Sequence, residues 1–390
     1  MGKYSMKGSA AFDAGVDKAL ARIVERVRST PFEDDLRAIV LMGGYGRGEG
    51  SPWVRDGEES AFNDYDCVVV ARPGLASGRR SRLRSVLQAL ERDLTAELGI
   101  TVDLYLHTPE SLHRAEFSLM NLEMRYGHRV IWGEPTVLEE MPEYELARLP
   151  LVEGTRLLLN RGKLLLDLVR LLRDGAPEAL AAPEVGEKAV KFLMKARLAM
   201  GDALLMALGR YDISYVEKRQ RMHAALDSDL DCPARPSFEI ERVAEEFLQA
   251  VEFKEWVDFS RYEVAAWPEQ LRQLLPAYIQ FFYSFESVRL RVGMRDREQH
   301  LLALPDDEQD RAGFRGFARG FQQLGMQVFR PSMRWSRVHP RARLYGAMPL
   351  LLDETSDLRP VPGLLGLPPA AAQDRAAVEE RFYRLREAWA

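Results

Sequence analysis

Cysteine is nearly absent. Cys67 and Cys232 are the only two in 390 residues, which excludes a disulfide framework or a zinc ribbon and suits a reducing compartment. Long apolar runs are missing too. The leucine-rich stretch 157–172 is broken by Asn160, Arg161, Lys163, Asp167 and Arg170, short of the roughly 18 apolar residues a membrane span needs. The first twelve residues hold no apolar signal core, and Met6 stands where a myristoylation signal takes Ser or Thr. A soluble, cytoplasmic protein without a membrane partner is expected. There is no excess of positive charge: 54 Lys and Arg face 59 Asp and Glu, a net charge of -5, which excludes a globally basic nucleic-acid coat.

What is present is ordinary for a globular chain, with 46% hydrophobic and 29% charged residues, and this rules out wholesale disorder, collagen-like repeats and a coiled coil. Residues 13–28 have helical periodicity. An apolar strand over 38–42 runs into Gly43-Gly44, and a second strand over 63–72 starts with two acids. A helix over 79–98 ends at Gly99, a strand follows over 100–106, then a helix near 109–125 and a short strand over 128–132. From about residue 146 strand signals nearly vanish. Helical periodicity covers 152–173 and 187–210 and recurs near 214–226, 238–254, 268–291 and 306–324. Residues 331–369, rich in Pro, Arg and Leu, read as irregular, and 374–388 as a last helix. The expected fold class is α+β: a mixed sheet with flanking helices, then an all-helical domain. The expected boundaries are 1–145, 146–330, and 331–390 packed on the helical domain.

Three features of the first domain carry chemistry. The turn Met42-Gly43-Gly44-Tyr45-Gly46-Arg47-Gly48 lets backbone approach a ligand and aim N–H groups at phosphate oxygens. Asp64 and Asp66 are two apart on a strand and so share a face. Asp103 lies between Val102 and Leu104 on the next strand. Three carboxylates converging beside a glycine turn make a hard-oxygen cage suited to Mg²⁺, with substrate phosphates as further ligands.

This order of motifs, Gly43-Gly44, Asp64-x-Asp66 and a later strand Asp103, resembles the DNA polymerase β-like nucleotidyltransferases, in particular the minimal and antibiotic nucleotidyltransferases with a helical C-terminal domain. The resemblance rests on residues 36–135. Two departures stand out. The gap of 19 residues between Gly44 and Asp64 is longer than usual, with 51–62 looking like an inserted loop, and Asn63 replaces the commoner Ser. The resemblance implies two Mg²⁺ ions held by Asp64, Asp66 and Asp103, with Asp103 also placed as base. It implies a nucleoside triphosphate held by Gly43, Gly44, Tyr45 and Arg47, and transfer of a nucleoside monophosphate, AMP by default, to a hydroxyl with release of pyrophosphate. The acidic balance and the lack of an RNA-binding module favour a small molecule or a protein over nucleic acid as acceptor.

Other residues are weighed singly. Lys188, Lys191, Lys195 and Asp202 share a helical face; Lys191 and Lys195 are the better candidates for contacting the triphosphate, against an exposed charged stripe. Tyr211 and Tyr215 read as core rather than base-stacking residues, Cys67 as a buried small hydrophobe, and Arg156 and Arg161 are left without an orientation. The pairs Arg295-x4-His300 and Arg334-x4-His339 fit a helical ribonuclease pattern, a weak one in an arginine-rich chain. The alternative to an enzyme is a nucleotide-sensing or antitoxin-type regulatory protein.

Overall fold

The structure is a computed structural model that describes residues 2–227, 239–293, 297–330 and 332–389. Cys232 and Arg295 lie outside the described residues. The chain divides into two compact units.

The first unit comprises Met1–Leu149, Tyr211–Arg221 and Leu248–Tyr262. It opens with α1 (Ala10–Arg28), whose start is fixed by Ser9: the hydroxyl accepts the Phe12 N–H at 3.2 Å, a side-chain cap. Phe12, Val16, Leu20, Ile23 and Val27 are its buried stripe. The strand β1 (Leu36–Leu41) leads into α2 (Gly43–Arg47). A hairpin, β2 (Pro52–Arg55) with β3 (Glu58–Ala61), precedes β4 (Asp64–Ala71). Then come α3 (Ser77–Leu98), β5 (Thr101–His107), α4 (Pro109–His113), α5 (Leu119–Tyr126) and β6 (Arg129–Gly133).

The four-stranded sheet has the order β5-β4-β1-β6. β1 is antiparallel to β4 and β6, while β4 and β5 are parallel, the parallel pair being joined through the crossover helix α3 as such pairs require. The sheet is therefore mixed, as expected. Tyr65, Cys67 and Val69 of β4 join one apolar core with the buried faces of α1 and α3. By strand alternation, Asp64 and Asp66 look the other way.

Two expectations for this unit change. The stretch 51–62 is a hairpin rather than a loop. Asp56 (φ 52°) and Gly57 (φ 82°) both take the left-handed conformation, the two-residue turn that matches strand twist. The single helix near 109–125 is two, because Thr108 caps α4 and Ser118 caps α5: two cap side chains start two helices.

The second unit comprises Pro150–Arg210, Met222–Phe247 and Glu263–Ala390. Its elements are largely helical. In chain order from residue 150 the helices of both units are α6 (Val152–Asp174), α7 (Pro177–Leu180), α8 (Pro183–Ala207), α9 (Tyr215–Asp227), α10 (Ile240–Glu255), α11 (Trp267–Leu290), α12 (Arg297–Ala303), α13 (Phe314–Leu324), α14 (Ala342–Leu352), α15 (Val361–Leu365) and α16 (Arg375–Trp389). Here the irregular reading of 331–369 is corrected. α14 is buried at all eleven positions, so it shows no polar-apolar alternation for a periodicity argument to find, and Gly346 and Pro349 inside it disguise it further.

A charged cluster is buried in this unit. Arg289 donates from Nε and Nη2 to both oxygens of Glu286 at 2.7 Å and also pairs with Asp307. Thr155 donates to Glu286 at 2.5 Å, and His300 Nε2 lies 3.0 Å from the same carboxylate. His300 is enclosed in this network, 1% exposed, so the ribonuclease reading loses its acid-base residue. Arg156 is likewise committed, to Glu153 and to Asp310 at 2.8 Å.

Candidate metal centre

The register of β4 and β5 sets the centre. Asp66 pairs directly with Asp103, and Asp64 sits two residues before Asp66 on the same face. Each of the three contributes a carboxylate oxygen, and these oxygens lie within 4.8 Å of one another. All three are half-buried, reachable by a solvated ligand yet partly shielded. Burial, and then Asp64 and Glu91 nearby, push the Asp103 carboxyl above its ordinary value. Such a cluster repels itself unless positive charge arrives, and its all-oxygen donor set fits a hard divalent cation. Asn63 enters here with a physical reason. It holds φ 79° immediately before Asp64, a left-handed conformation that Asn tolerates better than most residues.

The glycine turn abuts the acids. Met42 N–H donates to the Asp66 carbonyl at 2.8 Å. Gly43 has φ 63°, and a Cβ there would lie 3.0 Å from Asp66 Oδ2. Both constraints call for glycine.

Two residues of the turn are committed elsewhere. The Tyr45 ring is buried, 5.0 Å from the ring of Tyr65. Its hydroxyl accepts the Phe62 N–H at 2.8 Å and faces the carbonyls of Ser51 and Phe62. The side chain therefore pins the hairpin, leaving only backbone to meet a ligand. Arg47 is buried between Glu49 at 3.3 Å and Glu123 at 3.1 Å. Burial opposes its charge, but Glu123 and Glu49 more than offset this and hold the guanidinium above its ordinary value.

That pairing belongs to a network that the sequence reading did not find. Glu49 also accepts the Ser214 hydroxyl at 2.7 Å and the Tyr215 N–H at 3.0 Å, and Tyr211, buried as expected, donates to Glu123 at 2.8 Å. Burial alone would raise Glu49, yet Ser214 and Arg47 hold it below the usual carboxylate range. Lys218 lies over the rings of Tyr211 and Tyr215 at 4.4 and 4.2 Å. Lys254 donates to the Glu49 carbonyl at 2.7 Å, and its Nζ is 3.3 Å from where a Gly44 Cβ would stand. Three cations thus accompany two carboxylates behind the turn. Burial first, and then Arg47, bring Lys254 down to about 8. No local motif marks Glu123, Ser214 or Lys254; they meet Arg47 only through the fold.

Lys191 and Lys195 lie half-buried on α8 of the second unit, Lys188 is exposed and Asp202 is buried. Cys67 is fully buried. No helix among the described residues is long and apolar enough to cross a membrane.

No family model matches the sequence, and no curated protein matches it. Among solved structures, the chain is similar to the crystal structure of spectinomycin adenyltransferase AAD(9) from Enterococcus faecialis with ATP and spectinomycin. The identity is 12%, over 66% of this chain and 98% of that one, with a TM-score of 0.35. An overlay this loose carries no argument about activity, so the functional reading rests on the carboxylates and the turn beside them.

Proposed function

We propose that this chain is a Mg²⁺-dependent nucleotidyltransferase that moves a nucleoside monophosphate, AMP by default, from a nucleoside triphosphate to a hydroxyl of a small molecule or protein. The observation that carries this reading is the convergence of Asp64, Asp66 and Asp103 against the Gly43 turn. Bound Mg²⁺ ions would supply charge neutralisation for the attacking and leaving oxygens. Asp64, Asp66 and Asp103 would hold them.

The protein's own residues do the rest. The backbone of Gly43 and Gly44 receives the β- and γ-phosphates, with Lys254 beside Gly44 adding positive charge from behind the turn while Arg47 stays committed to Glu49 and Glu123. The acceptor oxygen bonds to the α-phosphorus as the bond to the β-phosphate oxygen breaks, so pyrophosphate leaves. The acceptor's proton passes to Asp103, which the family resemblance places as the base.

The test is pyrophosphate release with each of the four nucleoside triphosphates, with and without Mg²⁺, in wild type and Asp66→Asn. The variant is expected to lose about a hundredfold or more. Magnesium-dependent nucleotide binding that never turns over, in wild type as in the variant, would establish a sensor instead.

A further inference from the structure

Between Arg311 and Leu352 the chain carries eight arginines and no acidic residue, within a protein of net charge -5. The same stretch holds an apolar surface. Phe314 is 87% exposed, Phe321 45%, Met326 71% and Met333 73%, four of the nine large hydrophobics exposed among the described residues.

The helix α13 explains the placement. It seats on the second unit through Gly320 and Leu324, which are buried, with Gly320 close against Pro340 and Val328. Phe314, Phe317 and Phe321 follow the i, i+3, i+7 stripe on the adjoining flank, and Phe317 touches Phe321 and Phe329 at 6.4 Å. Arg315 and Arg319 point from another flank and are exposed, as are Arg330 and Arg337. Unlike Arg311, which pairs with Glu308, and Arg334, which pairs with Asp306, these four have no ion-pair partner among the described residues.

We infer that α13 with the turns carrying Met326 and Met333 is a docking face for an anionic lipid surface. A short amphipathic helix with Phe on one flank and Arg on the other sits at a bilayer interface by burying the apolar flank among acyl chains, with the cations among anionic headgroups. A single-stranded nucleic acid would use rings spaced along a cationic groove. Here two of the four exposed apolar side chains are methionines, and the rings follow one helical stripe, which fits lipid better. This docking is peripheral and needs no spanning helix.

The experiment is co-sedimentation of the full chain with vesicles of phosphatidylcholine alone or mixed with phosphatidylglycerol, at low and high salt. Binding is expected only to the anionic vesicles and should weaken with salt. Arg315→Gln with Arg319→Gln should weaken it about 25-fold, about fivefold per arginine near such a surface. Phe314→Ser with Phe321→Ser should weaken it about tenfold or more. Because all four side chains are exposed, melting temperature should not move. Met326→Ser with Met333→Ser gives a second reading on separate turns, should either pair fail to fold. Absence of binding to anionic vesicles overturns the inference. So does binding that neither pair alters, or capture of a single-stranded RNA homopolymer in place of vesicles.

Discussion

Replacing Gly43 by Ala separates two demands that the turn meets at once. Gly43 sits at φ 63°, where an L-residue costs about 1–2 kcal/mol. The added Cβ would also stand 3.0 Å from Asp66 Oδ2, closer than a carbon and an oxygen normally rest, so the carboxylate has to yield by a few tenths of an ångström. Gly48 is the matched control. It has φ 79°, but its Cβ would meet only the Lys3 carbonyl, at 3.4 Å. Gly43→Ala and Gly48→Ala should therefore lose the same stability, about 1–2 kcal/mol by urea unfolding. Only Gly43→Ala should lose cation affinity, because Mg²⁺ tolerates little departure from octahedral geometry and disturbances around ligands of this kind cost about 10–100-fold. Calorimetric titration with Mn²⁺ reads the affinity. If both variants keep wild-type affinity, the turn does not position Asp66 for a cation and the reasoning fails; if Gly48→Ala also loses affinity, backbone strain and not the carboxylate contact is the cause.

Two further outcomes are expected. Glu286→Gln strips Arg289 of one buried partner and disturbs Thr155 and His300; breaking a buried pair from one side should cost about 3–5 kcal/mol in urea unfolding, and a loss under 1 kcal/mol would refute the central role given to that carboxylate. Lys254, brought down to about 8 from an ordinary 10.5, binds fewer protons in the folded chain than in the unfolded one between those values. Its burial therefore opposes folding in full below pH 8 and is relieved as pH rises towards 10.5. The wild-type stability minus that of Lys254→Met, which removes the other titrating groups from the comparison, should rise by about 3 kcal/mol across that window; a flat difference would show the ammonium to be well solvated.

The centre was legible because its grammar is local. Spacing two along a strand puts Asp64 and Asp66 on one face, and an apolar strand around Asp103 made its pairing with β4 the natural arrangement. The network around Arg47 was not, because Glu123, Ser214 and Lys254 come from three distant segments that share no spacing rule. Tyr45 illustrates the same limit: its position beside the glycines suggested a ligand contact, while Phe12 and Tyr65, remote in sequence, form the hydrophobic setting that buries it. The hairpin at 52–61 was readable, since Asp56-Gly57 between two short runs is a strong turn signal, but the length of the gap drew attention to insertion rather than to pairing. α14 was unreadable for the opposite reason: a helix buried all round has no amphipathic pattern, and its proline argued against it.

The hairpin has one more consequence, for how the chain is born. Val54 N–H bonds to the Val257 carbonyl at 2.8 Å, and Val257 N–H to that of Pro52 at 2.9 Å, while Trp53 and Phe62 meet Phe253 and Phe259 ring to ring. The opening stretch of the protein thus waits for strand-like and aromatic partners encoded more than a hundred residues after Leu149. The hairpin rings are made about 190 residues before Phe253, so at the usual pace of translation they stay wet for roughly 10–40 s. A ribosome-bound chain halted near residue 150 should consequently recruit chaperones, and the full-length chain, with both units complete, should not.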